Sequence, residues 1–355
     1  NWHQRGWEAF MKRKTIYDVA QEAGVSITTV SRAMNGTGYV SEETRKRIER
    51  AAENYRPVAV AREMKIQKSK TIGIVINHDA DYFFMNSTFV NELRAISLAA
   101  KKRRYKLLLE LMDDEEEVKN LYFTRKVDGL IIMGCNRNST MIPSMVEAKI
   151  PFVLIGNYEG PEPVSQIEVN DKAAVYDAVN YLIGLGHQRI GMITGALKYA
   201  SSFNRLEGYK EALADGGIPI RKEFIEICDN LTDVVVENLV KKLLYQKERI
   251  TALVMFNDQI AVASYKAAKE LGVMIGRDLS IVGFDDDRVG RFVTPPLTTI
   301  WQPSYEKGEK ALNILIDALE EERLPDAKEE LQCVMIYRHS CSAVSEDASG
   351  ETREM

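Results

Sequence analysis

The sequence predicts an α/β chain of two unequal parts: an all-α head carrying a helix-turn-helix, and a larger body of two lobes, each a doubly wound parallel sheet. Three observations carry this reading. Near the start, apolar positions recur with helical spacing; from Thr71 onward, short apolar runs alternate with amphipathic helices; and that alternation begins afresh midway along the chain. At 355 residues the chain is long for one core, and two or three structural units are expected at ~100–200 residues each.

In the head, Thr15 can cap a first helix whose apolar stripe is Ile16, Val19, Ala20 and Ala23, and Gly24 breaks it. Ser26 can cap a second helix, with Val30, Ala33 and Met34 turned inward and Asn35-Gly36 as its stop. So short a connection makes the pair a helix-turn-helix, whose second helix lies in the major groove of DNA. The outward face of that helix carries Ile27, Thr28, Thr29, Ser31 and Arg32. Arg can fork onto guanine, Thr can meet a polar edge or a thymine methyl, and Ser can reach phosphate. A third helix starts at Ser41, with Glu42 and Glu43 at its positive end, and Ile48, Ala51, Ala52 and Tyr55 close a small core.

Charge agrees with this polarity. Residues 1–70 hold 14 Lys and Arg against 8 Asp and Glu, so a head of net +6 precedes 285 residues of net −11 in a chain of −5 overall. A basic head on an acidic body implies that a polyanion is met at one end. With 45% hydrophobic and 28% charged residues, a fibrous or mainly disordered chain is excluded. No apolar run approaches the ~18 residues that span a bilayer, and the N-terminus lacks the apolar core of a signal peptide, so a cytoplasmic protein with no membrane partner is expected. Cys135, Cys228, Cys333 and Cys341 form no C-x-x-C pair and no metal-like spacing with histidine, so reduced thiols and no metal or cofactor are expected. Residues 1–10 read as an extension before Met11, and residues 1–11 and 344–355 are expected to be disordered.

From Thr71 the body reads TIGIVIN, a helix near 88–103, KLLLELM, a helix near 113–124, DGLIIMG and PFVLIG. The second series runs through a helix at 173–184, RIGMIT, a helix at 205–213, ALVMF, a helix at 258–271 and LSIVGF. Two such lobes place the C-terminal ends of their strands around a shared crevice, where ligands are expected. There Arg205 can give two parallel hydrogen bonds to vicinal hydroxyls, Asn257 donates and accepts, and Asp285 accepts strongly, a set suited to a polyol.

The motifs T-I-Y-D-V-A…A-G-V-S…T-V-S-R…N-G and Y-R-P…A-V-A-R, followed by G-H-x-R-I at 186–190, R-x-x-G-Y at 205–209, N-D at 257–258, V-G-F-D-D at 282–286 and P-L-T-T-I…Q-P at 296–303, resemble the LacI/GalR family of bacterial transcription regulators over residues 14–340. The resemblance implies a helix-turn-helix head over 12–56, a hinge helix and linker over 57–69, and a periplasmic-binding-protein-like type I effector domain over 70–343. Its lobes would take 70–169 plus 302–330 and 170–298 plus 331–343. It also implies a homodimer on a pseudo-palindromic operator, controlled by a small molecule, expected to be a sugar. The implied DNA-contacting residues are Thr15, Tyr17, Ser26, Ile27, Thr28, Thr29, Ser31, Arg32 and Asn35 in the head. In the hinge they are Ala59, Ala61 and Met64, the last as the wedge between central bases where the family usually has Leu. The implied effector-binding residues are Tyr82, Phe84, Asn157, Arg205, Leu231, Asn257 and Asp285. At least one of Tyr82, Phe83 and Phe84 is expected in the core instead. Leu231 stands where several relatives place an aromatic over the ligand, and Asn157 where many carry Asp. Two departures from the family bear on the hinge: the stretch before Tyr55 is two residues shorter than usual, and Val58 follows Pro57 in place of Asn or Ser.

An enzyme is not expected. Asp285, Asp286 and Asp287 are neighbours in one loop and do not flank a bond as a glycosidase pair must, and His187 lacks a nucleophile partner and reads as structural. The body alone would also fit the solute-binding protein of a transporter, which the attached head argues against, and a nucleobase-responsive repressor is the other alternative.

Overall fold

The computed structural model describes residues 16–35, 39–52, 68–77, 80–112, 114–229 and 232–344, and the chain divides into two compact units between Ser69 and Lys70. Residues 1–11, Thr15, the hinge residues Val58, Ala59, Ala61 and Met64, Leu231 and all but the first of residues 344–355 lie outside the described residues, as do the side chains of Ile16, Asn35 and Tyr82.

The head is three helices, α1 (Ile16–Ala23), α2 (Ile27–Asn35) and α3 (Glu42–Ala51), around Val19, Ala20, Ala23, Val30, Ile48 and Ala51. Gly24 turns the chain between α1 and α2 at φ +61°, a backbone state costly for residues with a Cβ. Arg47 of α3 reaches across to donate to the Ala23 and Gly24 carbonyls, taking up acceptors that the end of α1 leaves open. Ser26 caps α2, its Oγ accepting from the Thr29 amide at 3.1 Å, and Ser41 caps α3 by accepting from Thr44 at 3.3 Å. Met34, expected inward, is 41% exposed. The core ends at Val30 and the half-buried Ala33, so among the described residues none of the core covers Met34 in the last turn of α2.

The first lobe of the body runs β1 (Thr71–Ile76), α4 (Ala80–Met85), α5 (Ser87–Arg103), β2 (Lys106–Leu111), α6 (Glu115–Phe123), β3 (Gly129–Met133), α7 (Met141–Glu147), β4 (Phe152–Ile155) and β5 (Gln166–Val169). The second runs α8 (Asp171–Gly184), β6 (Ile190–Gly195), α9 (Ala200–Asp215), β7 (Ile225–Cys228), α10 (Asp233–Leu244), β8 (Ala252–Met255), α11 (Asp258–Glu270), β9 (Ser280–Val282) and β10 (Thr299–Trp301). The chain then returns through α12 (Ser304–Glu320) and β11 (Lys328–Leu331) to the first lobe, and ends with β12 (Val334–Ile336) in the second.

Both sheets are parallel, ordered β11-β5-β4-β3-β1-β2 and β7-β6-β8-β9, while β10 pairs antiparallel with β12. Helices α5 and α12 bury Ile96, Leu312 and Leu315 on one face of the first sheet, and α6 and α7 bury Val118, Leu121 and Met145 on the other. In the second lobe α8 and α9 cover one face through Val179 and Tyr209, and α10 and α11 the other through Val240 and Ala267. Helix α12 meets α5 closely at Gly308, where a Cβ would come within 2.3 Å of the Glu92 carbonyl oxygen.

The sequence periodicity left 225–244 and 304–320 without elements; the structure puts β7, α10 and α12 there. It also passed over β5, because Gln166 and Glu168 alternate with Ile167 and Val169 and break the apolar run. Strand β11 extends to Leu331, so the first lobe keeps one residue more than expected.

Candidate functional site

The outward residues of α2 stand as the helical spacing requires. Ser26, Ile27, Thr28 and Arg32 are exposed, Thr29 and Ser31 are half-buried, and Tyr17 on α1 is 69% exposed. The Thr29 hydroxyl hydrogen-bonds Ser26 Oγ at 2.8 Å, so it helps to close the cap of α2. Ile27, Thr28 and Arg32 therefore supply a methyl-bearing surface, a hydroxyl and a guanidinium on the exposed side of a short rigid helix.

In the body a cavity of ≈ 120 Å³ opens between the lobes. Its wall is built from strand ends, as in other doubly wound sheets: Gly134 follows β3, Gly156 and Asn157 follow β4, Glu168 lies on β5, Tyr199 follows β6, Phe256 follows β8 and Asp285 follows β9. Arg205 enters from α9. Its Nε donates to Asp171 Oδ1 at 2.7 Å and its Nη1 to the Phe256 carbonyl at 2.5 Å, while the guanidinium lies 3.5 Å from the centre of the Phe284 ring. Stacking and pairing fix a long side chain that would otherwise lose rotamer freedom on binding. The fork expected to reach a ligand is thus partly committed within the protein.

Asp285 has φ 109°, an unfavourable state for a residue with a Cβ, held because its amide donates to Ile300 at 2.7 Å beside β10. Its Oδ1 accepts from Gln302 Nε2, and the side-chain oxygen Oε1 of Gln302 accepts from Lys307 Nζ at 2.9 Å. Lys307 in turn lies 2.6 Å from Glu92 Oε1, and both are buried. A polar chain therefore runs from the first lobe through the crossover into the second. Burial raises the pKa of Asp285, which Arg205 and the Gln302 hydrogen bond oppose, and burial also raises that of Glu92 against the pull of Lys307. Glu168 is raised for the same first reason, with Gln166 acting against it. The buried Cys135 thiol in the wall is pushed up to about 11, far from a reactive thiolate.

Of the expected ligand set, Asn157, Arg205 and Asp285 line the cavity; Asn257 and Phe84 do not. Asn257 is the N-cap of α11, its Oδ1 accepting from the Ile260 amide at 3.0 Å, and the neighbouring Phe256 faces the cavity in its place. Phe84 is 51% exposed because successive helical residues point about 100° apart and α4 turns Phe83 into the core. Sequence reasoning missed Glu92, Glu168, Asp171, Gln302 and Lys307. The Q-P of the P-L-T-T-I…Q-P motif held the signal for Gln302; the others carry no local mark.

The remaining motif residues support the site. In R-x-x-G-Y, Gly208 lets α9 approach α8, where a Cβ would lie 2.1 Å from the Lys172 carbonyl oxygen, and Tyr209 donates to the Ile190 carbonyl at 2.8 Å. Asp258, buried, accepts from the Asp287 amide at 2.7 Å and from Thr299, tying the loop after β9 to α11. Asp286 pairs with Arg291 and Arg338, and Asp287 caps a short 3₁₀ turn, so no two of the three consecutive carboxylates share one of these partners. His187 is buried, with Nδ1 2.9 Å from the Thr251 hydroxyl and Nε2 3.1 Å from the Ser342 carbonyl oxygen. Among the described residues no helix is long and apolar enough to cross a membrane.

Known proteins match both parts of this description. Residues 15–57 match the bacterial regulatory proteins of the lacI family, and residues 179–341 match the periplasmic binding protein-like domain. The ribose operon repressor of Haemophilus influenzae is 34% identical over 312 residues, covering 86% of this chain and 92% of that protein. The solved lac repressor dimer bound to operator and the anti-inducer ONPF superposes with a TM-score of 0.76 at 26% identity, covering 94% of this chain and all of that one. The transcriptional regulator CelR–cellobiose complex gives a TM-score of 0.71 at 25% identity, covering 92% and 100%. The chain belongs to the lacI family of bacterial regulatory proteins and joins that family's DNA-binding head to a periplasmic-binding-protein-like body.

Proposed function

We propose that this chain is a cytoplasmic, homodimeric repressor of a carbohydrate-utilisation operon, controlled by a sugar bound between its lobes, and that it catalyses no reaction. The observation that carries the reading is the convergence of Asn157 from the first lobe with Arg205 and Asp285 from the second on one polar cavity, in a chain that also presents Ile27, Thr28 and Arg32 on an exposed helix. The lac repressor's operator complex supports DNA as the partner of the head, and the cellobiose complex of CelR supports a sugar in the cleft.

A dimer suits the exposed apolar side chains of the first lobe: edge strand β2 leaves Leu109 and Leu111 exposed, and the adjoining α5 exposes Val90 and Leu98. Two heads related by a two-fold axis would read half-sites about one helical turn apart. A ligand that touches both lobes binds one lobe arrangement better than another, and this difference in affinity is what can change the grip on DNA.

Footprinting on DNA upstream of the chain's own gene, with and without a panel of sugars, tests the proposal. A protected pseudo-palindrome whose occupancy changes with one sugar is expected. Absence of protection at any salt concentration that keeps the chain folded sinks it, and a ligand bound without DNA protection favours a solute-binding role.

A further inference from the structure

The charges lining the cleft do not balance. Glu92, Glu168, Asp171 and Asp285 face it against Arg205 and Lys307 alone. Arg205 is spent on Asp171 and Lys307 on Glu92, while Asp285 accepts from Gln302 within reach of the Arg205 charge. Glu168 is left over. It is 7% exposed, its Oε1 accepts from Gln166 Nε2 at 3.0 Å, and its Oε2 is buried with no hydrogen-bond partner among the described residues. In the strand pairing Glu168 stands opposite Glu330 of β11, a second acid, and Gln166 opposite Lys328, whose charge acts on Glu168 without a hydrogen bond to it among the described residues and is opposed by the charges of Glu330 and Asp171. A buried carboxylate in such surroundings carries a desolvation cost that a neutral hydroxyl offsets only in part and a cation offsets well.

We propose that the effector is a polyol bearing a positively charged amino group, an amino sugar, whose ammonium pairs with Glu168 while its hydroxyls meet Asn157, Arg205 and Asp285. The assignment rests on the reading of the cleft as a sugar site. An ammonium carries three donors and a full charge; the same position filled by a hydroxyl offers one donor and none. Acetylating the amine removes the charge and adds bulk to a small cavity, so the free amine is preferred over both the parent sugar and its N-acetyl form.

The test is calorimetric titration of the full chain with glucosamine, galactosamine and mannosamine, each beside its neutral parent and its N-acetyl derivative, with footprinting on the same preparation. At least one amine is expected to bind about tenfold or more tighter than both its counterparts. Glu168→Gln, which keeps the side chain's shape, should shrink that affinity ratio about tenfold. A neutral or acetylated sugar binding as tightly as the amine, a ratio that survives Glu168→Gln, or no binding by any of these compounds overturns the assignment. DNA protection that responds to a neutral sugar overturns the amine while leaving the repressor reading in place. Amine selectivity in a chain that protects no DNA upholds the ligand class and refutes the repressor.

Discussion

In the head, Ile27, Thr28 and Arg32 stand exposed on a helix fixed by a core of Val19, Ala20, Ala23, Val30, Ile48 and Ala51, whereas in the body Glu92, Asp171, Arg205 and Lys307 are buried and paired, Arg205 with Asp171 and Lys307 with Glu92. The two regions divide recognition from support in different ways. Each of the three α2 side chains proposed to read DNA faces water, so replacing it is expected to change what is read and to leave the small core intact. Each group in the cleft also holds another group or a lobe in place: Arg205 anchors Asp171 and the Phe256 carbonyl, and Gln302 bridges Asp285 to Lys307. Removing one such group is expected to change lobe geometry and stability together with affinity for the proposed ligand.

Asp285→Asn gives the largest expected effect. It keeps the shape but removes the charge that faces the cavity, and affinity for the sugar that the wild-type chain binds best should fall by ~10–150-fold, as for a lost charge-assisted hydrogen bond. Operator affinity without sugar should stay within about twofold if head and cleft are coupled only through the ligand-dependent lobe arrangement. Calorimetry with the sugar and anisotropy with labelled operator measure the two; a variant with unchanged sugar affinity displaces Asp285 from the site.

Arg32→Ala is the matching cut in the head. It should weaken operator binding by ~1–3 kcal/mol and flatten the preference at one base position, with sugar affinity and the melting of the body unmoved. Equal losses on every operator variant, with a shallower salt dependence, would reassign Arg32 from a base to a phosphate. Gly208→Ala separates the regions from the other side. A methyl placed 2.1 Å from the Lys172 carbonyl must push α9 from α8, costing ~1–3 kcal/mol of stability by overpacking and displacing Arg205 from Asp171. Thermal unfolding with and without sugar would register both losses; a variant as stable as wild type and as tight for sugar would show that α9 shifts without carrying Arg205 away.

How much of this was legible in the sequence follows the same division. The α2 face needed only local rules, a Ser cap, a helical stripe and a glycine in a left-handed turn, and Met34 failed because the stripe cannot say where a small core ends. The cleft was legible where a residue belongs to a motif, as Arg205 does on α9 and Asp285 does after β9. Asn257 misled because one residue type serves both as helix cap and as ligand contact, and the choice depends on whether its oxygen is already engaged by the Ile260 amide. Glu92 and Lys307 are far apart in the chain and meet only because α5 and α12 pack together at Gly308, a contact that no periodicity encodes. The pairing of Glu168 with polar Gln166 hid β5 itself, since the residues that face the cavity are the ones that break the apolar alternation.

The smallest expected effect concerns pH and touches the body alone, because residues 16–69 contain no histidine. His187 ties the loop before β6 to Thr251, Ser280 and the Ser342 carbonyl. The carbonyl requires a proton on Nε2, and in the neutral ring that burial favours Nδ1 accepts from the Thr251 hydroxyl. Burial, the largest cause, lowers its pKa from the ordinary 6.5. A lowered folded pKa means that the unfolded chain takes up the proton first: the contribution is fully present above the unfolded pKa and is lost as pH falls from about 6.5 toward the folded value. Burial raises the pKa of Asp258 and Asp285, and so these groups act in the opposite direction as pH falls; the contrast therefore has to be made against a variant. His187→Asn should be less stable than wild type by on the order of 1–3 kcal/mol at pH 7.5. The gap should narrow below pH 6.5 by at most about 1.4 kcal/mol per pH unit. Denaturant titrations of both chains between pH 7.5 and 5 read this directly: a gap that stays constant across the range would mean that the pKa of His187 is unchanged on folding, and one that widens as pH falls would mean that the folded ring is charged.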